Sequence, residues 1–153
     1  MKRSSTVVWQ GSGKDGSGQV SMQSGLLKDA RFAYATRFSN DEGTNPEELI
    51  AAAHASCFSM KLSFMIQEAG FNTEELRTKC TIVFENGSIT ESQLEVEAKI
   101  PQIAGDRFKQ IVEQARTDCP VSRALNVNVT LKANLLTSQE QKGQSILFSH
   151  ILI

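Results

Sequence analysis

Four side chains in this 153-residue chain are of the types that could do chemistry together: Cys57, Cys119, Arg37 and Glu47. Cys57 lies in Leu49 to Phe58, a Leu-Ile-Ala-Ala-Ala-His-Ala-Ser-Cys-Phe run without a charge. In such surroundings a free cysteine is most often an inert small hydrophobe, because burial raises its pKa and keeps it a thiol. It stands 11 residues past Pro46, and the field of a helix N-terminus fades within a turn. If this sulfur reacts, a cation has to be brought to it. Arg37, beside the apolar Phe38, is the nearest good candidate, and an arginine in an apolar site needs a carboxylate partner, for which Glu47 is available. Glu47 and Cys57 are ten residues apart. On one helix that is about 15 Å of rise and about 80° of rotation, too far to touch. Either Arg37 spans much of the gap or a second subunit supplies part of the site.

Cys119, in Asp118-Cys119-Pro120, reads as the start of a short helix, where backbone N–H groups lower a thiol pKa; the alternative is a capping residue that happens to be cysteine. Two thiols, one poised and one able to resolve it, form the minimal apparatus for reducing a peroxide. The thiolate attacks the O–O bond, becomes a sulfenic acid, and condenses with the second thiol to a disulfide. Other chemistries fit less well. His54, Cys57 and Cys119 could be combined into a zinc site, but only three ligands are in view and a metal would quench the thiolate. His54 is instead expected to pack or hydrogen-bond near a dimer seam. Ser56 and Ser59 are spaced so that neither hydroxyl aims at the His54 imidazole, which argues against a hydrolase. Cys80 reads as core. The Gly11 to Gly18 stretch has a lysine but lacks the Gly-x-x-x-x-Gly-Lys-Ser/Thr context of a phosphate loop, and reads as a hairpin loop.

The elements that must position these groups are legible. Short strands are expected at 5–10, 19–24 and 31–38, the last two from alternation of polar and apolar residues. Asn45 as N-cap, Pro46 at the first helical position, and Glu47 and Glu48 in the first turn make a strong helix start, with Glu48 three after Asn45 as in a capping box. The helix should run to about Ala69 and stop at Gly70. It is apolar nearly all round, so it should be buried on most sides, and a chain of this length struggles to surround it. A second subunit is the expected cover. Strands follow at 76–85 and 89–100, joined by Asn86-Gly87. A helix is expected at 106–117, a short helix from Cys119 to Leu125, and a last strand through Val127, Val129, Leu131 and Ala133.

Composition fits an ordinary globular chain: 40% hydrophobic residues, with 16 basic against 17 acidic side chains. That balance argues against a polybasic nucleic-acid binder. No run approaches the ~18 consecutive apolar residues of a membrane span, and an odd cysteine count does not read as a disulfide scaffold. The expectation is a cytoplasmic protein with reduced thiols and neither nucleic-acid nor membrane partners. Residues 138–153 turn from polar to greasy, and read equally as a docked tail or an unrelated appendage.

The run from Gly43 through Thr44-Asn45-Pro46-Glu47-Glu48-Leu49-Ile50-Ala51-Ala52-Ala53-His54-Ala55-Ser56-Cys57-Phe58-Ser59 to Met60, with Cys119-Pro120-Val121-Ser122 downstream, closely resembles the OsmC/Ohr family. It is most similar to the osmotically inducible protein C branch, over about residues 5 to 136. The resemblance implies an α+β, OsmC-like fold, with antiparallel sheets packed on long central helices in an intertwined homodimer. On this reading residues 1–137 form a single domain and 138–153 a tail. It also implies thiol-dependent reduction of organic hydroperoxides and hydrogen peroxide in stress defence, without a cofactor or metal. By position, Cys57 matches the family's peroxidatic cysteine and Cys119 the resolving one. Arg37 matches the arginine that stabilises the thiolate, and Glu47 the carboxylate that orients it. The implied reductant is a small or lipoyl-type dithiol, and the implied entrance is an apolar pocket near Phe38, Phe58 and Met60. The rival reading is a non-enzymatic dimeric thiol sensor or apolar-ligand binder; only an enzyme turns over many peroxides per chain.

Overall fold

The computed structural model describes residues 1–136, so the expected C-terminal tail lies outside the described residues. Contacts group the chain into two compact units, Met1–Leu49 and one beginning at Ile50.

The first unit is an antiparallel sheet in the order β1-β2-β3, with β1 at Ser5–Gln10, β2 at Ser17–Met22 and β3 at Ala30–Ala33. The glycine-rich stretch closes the β1–β2 hairpin. Trp9 pairs with Gly18 and Gly18 with Phe32. The two rings on either side of that bare position meet at 5.4 Å between centroids. The strand expected at 31–38 ends early: the chain leaves the sheet after Ala33 and tightens into a 3-10 turn at Ala35–Arg37. The reason is the Thr36 hydroxyl. It is buried and sits 2.7 Å from the Ala33 carbonyl and 2.8 Å from that of Thr44, so it satisfies a turn rather than a ladder. The alternation of Phe32, Tyr34, Thr36 and Phe38 imitates a strand, yet it serves an i,i+4 ring contact between Tyr34 and Phe38, 5.3 Å apart.

Helix α1 (Pro46–Glu68) starts in the first unit and runs into the second. Asn45 caps it, its Oδ1 accepting from the Glu48 N–H at 2.8 Å. The Glu48 carboxylate does not complete a capping box on Asn45; it accepts from the Thr44 hydroxyl instead, at 2.6 Å. At the other end Gly70 takes a φ of +86°. The Phe71 N–H donates to the Ile66 carbonyl and the Gly70 N–H to that of Gln67, the paired bonds of a Schellman stop.

The second unit is built on β4 (Glu75–Glu85), β5 (Ser88–Lys99) and β6 (Asn128–Leu135), with α2 (Gly105–Asp118) and α3 (Pro120–Ala124) between β5 and β6. β4 and β5 form a hairpin through Asn86-Gly87, both at positive φ. β6 runs parallel to β5, which corrects the expectation of purely antiparallel sheets. A parallel neighbour needs a crossover of a dozen or more residues, and α2 with α3 supply it. Arg116 fastens that crossover by donating to the Val129 carbonyl at 3.0 Å. The even-numbered face of β5, from Ser92 through Leu94, Val96 and Ala98, is buried. It packs with Phe58, Leu62 and Ile66 of α1 and with Phe108, Ile111, Val112 and Ala115 of α2.

Helix α1 was expected to be buried on most sides, but the chain covers one stripe of it: His54, Phe58, Leu62 and Ile66, at four-residue intervals. The opposite face, through Ala53, Ser56, Met60 and Phe64, stays open, with Met60 60% and Phe64 63% exposed. Among the described residues, α1 is the one helix long and apolar enough by length and mean hydropathy to cross a membrane, although His54, the serines and Lys61 interrupt its apolar run. Its buried stripe belongs to the core just described, as in any core helix that passes the same test.

Truncating that stripe has a calculable cost. Leu62→Ala should lower the unfolding free energy by about 2–5 kcal/mol, read from urea denaturation. Leu26→Ala, at a largely exposed loop position, should stay within about 0.5 kcal/mol of the parent.

Candidate active site

In the first unit the arginine and the carboxylate singled out from sequence meet. Arg37 Nε lies 3.1 Å from Glu47 Oε2, with the side chains 26% and 12% exposed. Arg37 sits at the end of the 3-10 turn, not at the end of a strand, and its guanidinium also lies 6.0 Å from the Tyr34 ring centroid. The pairing follows from local structure. Thr36 and the Asn45 side chain, whose Nδ2 donates to the Thr36 carbonyl at 3.1 Å, clamp the turn to the start of α1. Gly43 lets the connecting segment pass close to β3. Its φ is +135°, and a Cβ there would fall 2.7 Å from the Arg31 carbonyl oxygen. The next residue, Thr44, donates its N–H to that same oxygen at 2.9 Å. Such a partly buried arginine–carboxylate pair holds a guanidinium in a defined orientation.

In the second unit the two thiols also meet. Cys57, half-buried on α1, packs against the core that includes Cys119, and the Cys119 side chain and the Val121 N–H both act on its thiol. Its pKa is raised above the ordinary thiol value, first by burial and then by Cys119, while the Val121 N–H pulls the other way. Cys119 is fully buried at the N-cap of α3, with extended backbone and no capping bond from its sulfur. Cys80 flanks the core from β4, its sulfur 3.3 Å from Ser92 Oγ and its pKa raised by burial. Phe58, expected to help line an entrance, is instead wholly in the core; Phe38 and Met60 are each exposed.

His54 sits one turn before Cys57 and is completely buried within the chain. Its Nδ1 lies 2.7 Å from Ser92 Oγ and its Nε2 2.8 Å from Ser122 Oγ. Both nitrogens are thus engaged by hydroxyls. Ser56 and Ser59 instead turn back to the Ala52 and Ala55 carbonyls. Burial holds the His54 pKa below its usual value. Sequence reasoning noticed His54 but not its partners. Ser92 could have been found by its phase, since it is in step with Leu94, Val96 and Ala98 and so had to face the core. Ser122 had a weaker signal, its place three residues after Cys119.

The chain is thus an α+β protein that carries Cys57 and Cys119 in one core and, in the other unit, an oriented arginine–carboxylate pair. Residues 39–134 match the family described as OsmC-like protein, and the chain belongs to that family. It is 41% identical over 131 residues to Peroxiredoxin OsmC of Escherichia coli (strain K12), covering 83% of this chain and 92% of that protein. Among solved structures it resembles an organic hydroperoxide resistance protein from Elizabethkingia anophelis, with a TM-score of 0.63, 25% identity, and coverage of 90% of this chain and 99% of that one. An OsmC-like protein from Mycoplasma pneumoniae shares the fold, with a TM-score of 0.71 at 15% identity over 90% of this chain and 99% of that one.

The buried imidazole sets a pH dependence of stability. Its folded pKa lies below the ordinary 6.5, so between the two values the unfolded chain binds a proton that the folded chain refuses. The contribution is fully present above about pH 6.5 and is lost as pH falls, with a slope of at most about 1.4 kcal/mol per pH unit. Urea midpoints should therefore fall below that pH, and the slope should be reduced in His54→Gln.

Proposed function

We propose that the chain is a two-cysteine hydroperoxide reductase acting in stress defence in the cytoplasm. The observation that carries this reading is the packing of Cys57 against the core that holds Cys119, in a chain akin to a protein named peroxiredoxin. The Cys57 thiolate attacks the terminal oxygen of ROOH; the O–O bond breaks, ROH leaves with a proton, and the sulfur becomes a sulfenic acid. The Cys119 thiol then attacks that sulfur, the disulfide forms, and water departs with the sulfenic oxygen. A dithiol, small or lipoyl-type, reopens the disulfide by exchange and is itself oxidised to a disulfide.

Burial disfavours the thiolate, so the reaction calls for a cation. Arg37, oriented by Glu47, is the residue to which we assign that role, from its own chain or from a second copy. The arginine also stabilises the charge that develops as the O–O bond opens. We further propose an intertwined homodimer. The apolar open face of α1 and the exposed Val7, Val8 and Trp9 of β1 are surfaces that a second copy would cover, since grouped exposed apolar side chains mark interaction sites.

Cumene hydroperoxide and hydrogen peroxide consumption, with dihydrolipoamide as donor, tests the mechanism. Cys57→Ser should abolish turnover. Cys119→Ser should keep one oxidation per chain and lose recycling. Arg37→Ala should cut the rate by on the order of a hundredfold or more, as removal of a charge-stabilising donor does, and Glu47→Gln by less. Full turnover in Cys57→Ser would refute the assignment. For assembly, light scattering should give a dimer, and Met60→Asp with Phe64→Asp should yield a monomer; an unchanged mass would exclude that face.

A further inference from the structure

We propose that His54 is a positioning residue, which through Ser122 holds α3 so that Cys119 and the Val121 N–H both meet Cys57. The geometry is a pair of parallel links between the same two segments. On α1, His54 and Cys57 are three residues apart; at the start of α3, Cys119 and Ser122 are also three apart. His54 bonds Ser122 at 2.8 Å, and Cys57 packs against the core that includes Cys119. Between the two links lies Val121, packed against the same core, whose N–H favours the Cys57 thiolate.

Helix α3 needs such a fastening. It is five residues long and has no fully buried side chain; Val121 packs against the core, and the Ser122 hydrogen bond adds a direction to that contact. The imidazole is itself held from behind. Its Nδ1 meets Ser92 on β5 at 2.7 Å, and Ser92 in turn meets Cys80 on β4 at 3.3 Å. The neutral ring enforced by burial offers one donor and one acceptor, and each hydroxyl can complement either. A network satisfied at both ends is rigid in a way that a partly satisfied one is not. A leucine at this position would continue the Phe58, Leu62, Ile66 stripe and pack well, but it would hold no hydroxyl. The serine link therefore serves the thiols more directly than it serves the core.

This positioning rests on the two-thiol reading for its purpose: the disulfide closes only if the Cys119 thiol reaches the Cys57 sulfenic acid, with the sulfenic oxygen and the thiol proton leaving as water. Two measurements on the full reduced chain test it. The first is the pH profile of iodoacetamide alkylation at Cys57, resolved by peptide mass spectrometry, which needs no peroxide. The second is the rate at which the Cys57–Cys119 disulfide appears after one equivalent of cumene hydroperoxide. In Ser122→Ala and His54→Leu the alkylation profile should move to higher pH, and closure should slow on the order of tenfold or more, as for small misplacements of reacting groups. His54→Gln, which retains a donor and an acceptor, should recover part of the closure rate. Folded Ser122→Ala protein with the parent's profile and a closure rate within about twofold, short of any misplacement effect, overturns the proposal, whether or not His54→Leu folds. If the parent chain takes no oxygen from the hydroperoxide, the reductase reading fails, while the alkylation profiles still decide the role of His54.

Discussion

A sulfur placed on an apolar helix face resists ionisation, because the surroundings that keep it in the core also remove the water that would solvate its charge. For Cys57 that resistance is the dominant influence on the thiol, and the second unit contains a specific answer to it. The Val121 N–H, in the first turn of α3, favours the charged sulfur. One backbone dipole opposes the desolvation without overcoming it, since the net displacement remains upward. A full positive charge is the missing ingredient in any scheme that uses the thiolate. Within the first unit, Arg37 is oriented by Glu47 at 3.1 Å, and the proposed mechanism assigns it that part.

Helix α1 has to satisfy two demands that pull its composition in different directions. Its stripe of His54, Phe58, Leu62 and Ile66 must fill a core against β5 and α2. Its small residues leave the other face low in profile, yet Met60 and Phe64 stand out from it uncovered. Amphipathic helices put polar residues on such a face; here it mixes Ser56 with Ala53, Met60 and Phe64, and so its sequence looks like that of a helix surrounded on all sides.

Much of this was legible in the residues. Asn45-Pro46 and Gly70 marked the ends of α1 because capping and αL geometry depend on local chemistry alone, and Asn86-Gly87 marked the β4–β5 turn for the same reason. The four candidate side chains also fell into two pairs in space, Arg37 with Glu47 and Cys57 with Cys119. What was not legible depended on contacts distant in sequence. The turn at Ala35–Arg37 was hidden because Thr36 finds its partner at Thr44, while its neighbours alternate like a strand. The parallel pairing of β6 with β5 is set by the crossover through α2 and α3, not by anything within the strand. Ser122 was invisible as a partner of His54 because 68 residues separate them.

Buried polar side chains show where the fold accepts a cost to fix geometry. Among the described residues the buried polar ones are Thr36, His54 and Ser92, and each is hydrogen-bonded directly behind one of the two pairs. Thr36 ties the turn carrying Arg37 to the segment that leads into Glu47. His54 and Ser92 tie the sheet to the segment carrying Cys119. Apolar packing alone fixes a volume and leaves rotations soft, whereas hydrogen bonds fix direction. In the proposed mechanism, a guanidinium facing an anion and a thiol reaching another sulfur are both directional requirements. The placement of polar groups inside each unit follows that need, which is why stability by itself does not explain a histidine in the middle of an apolar stripe.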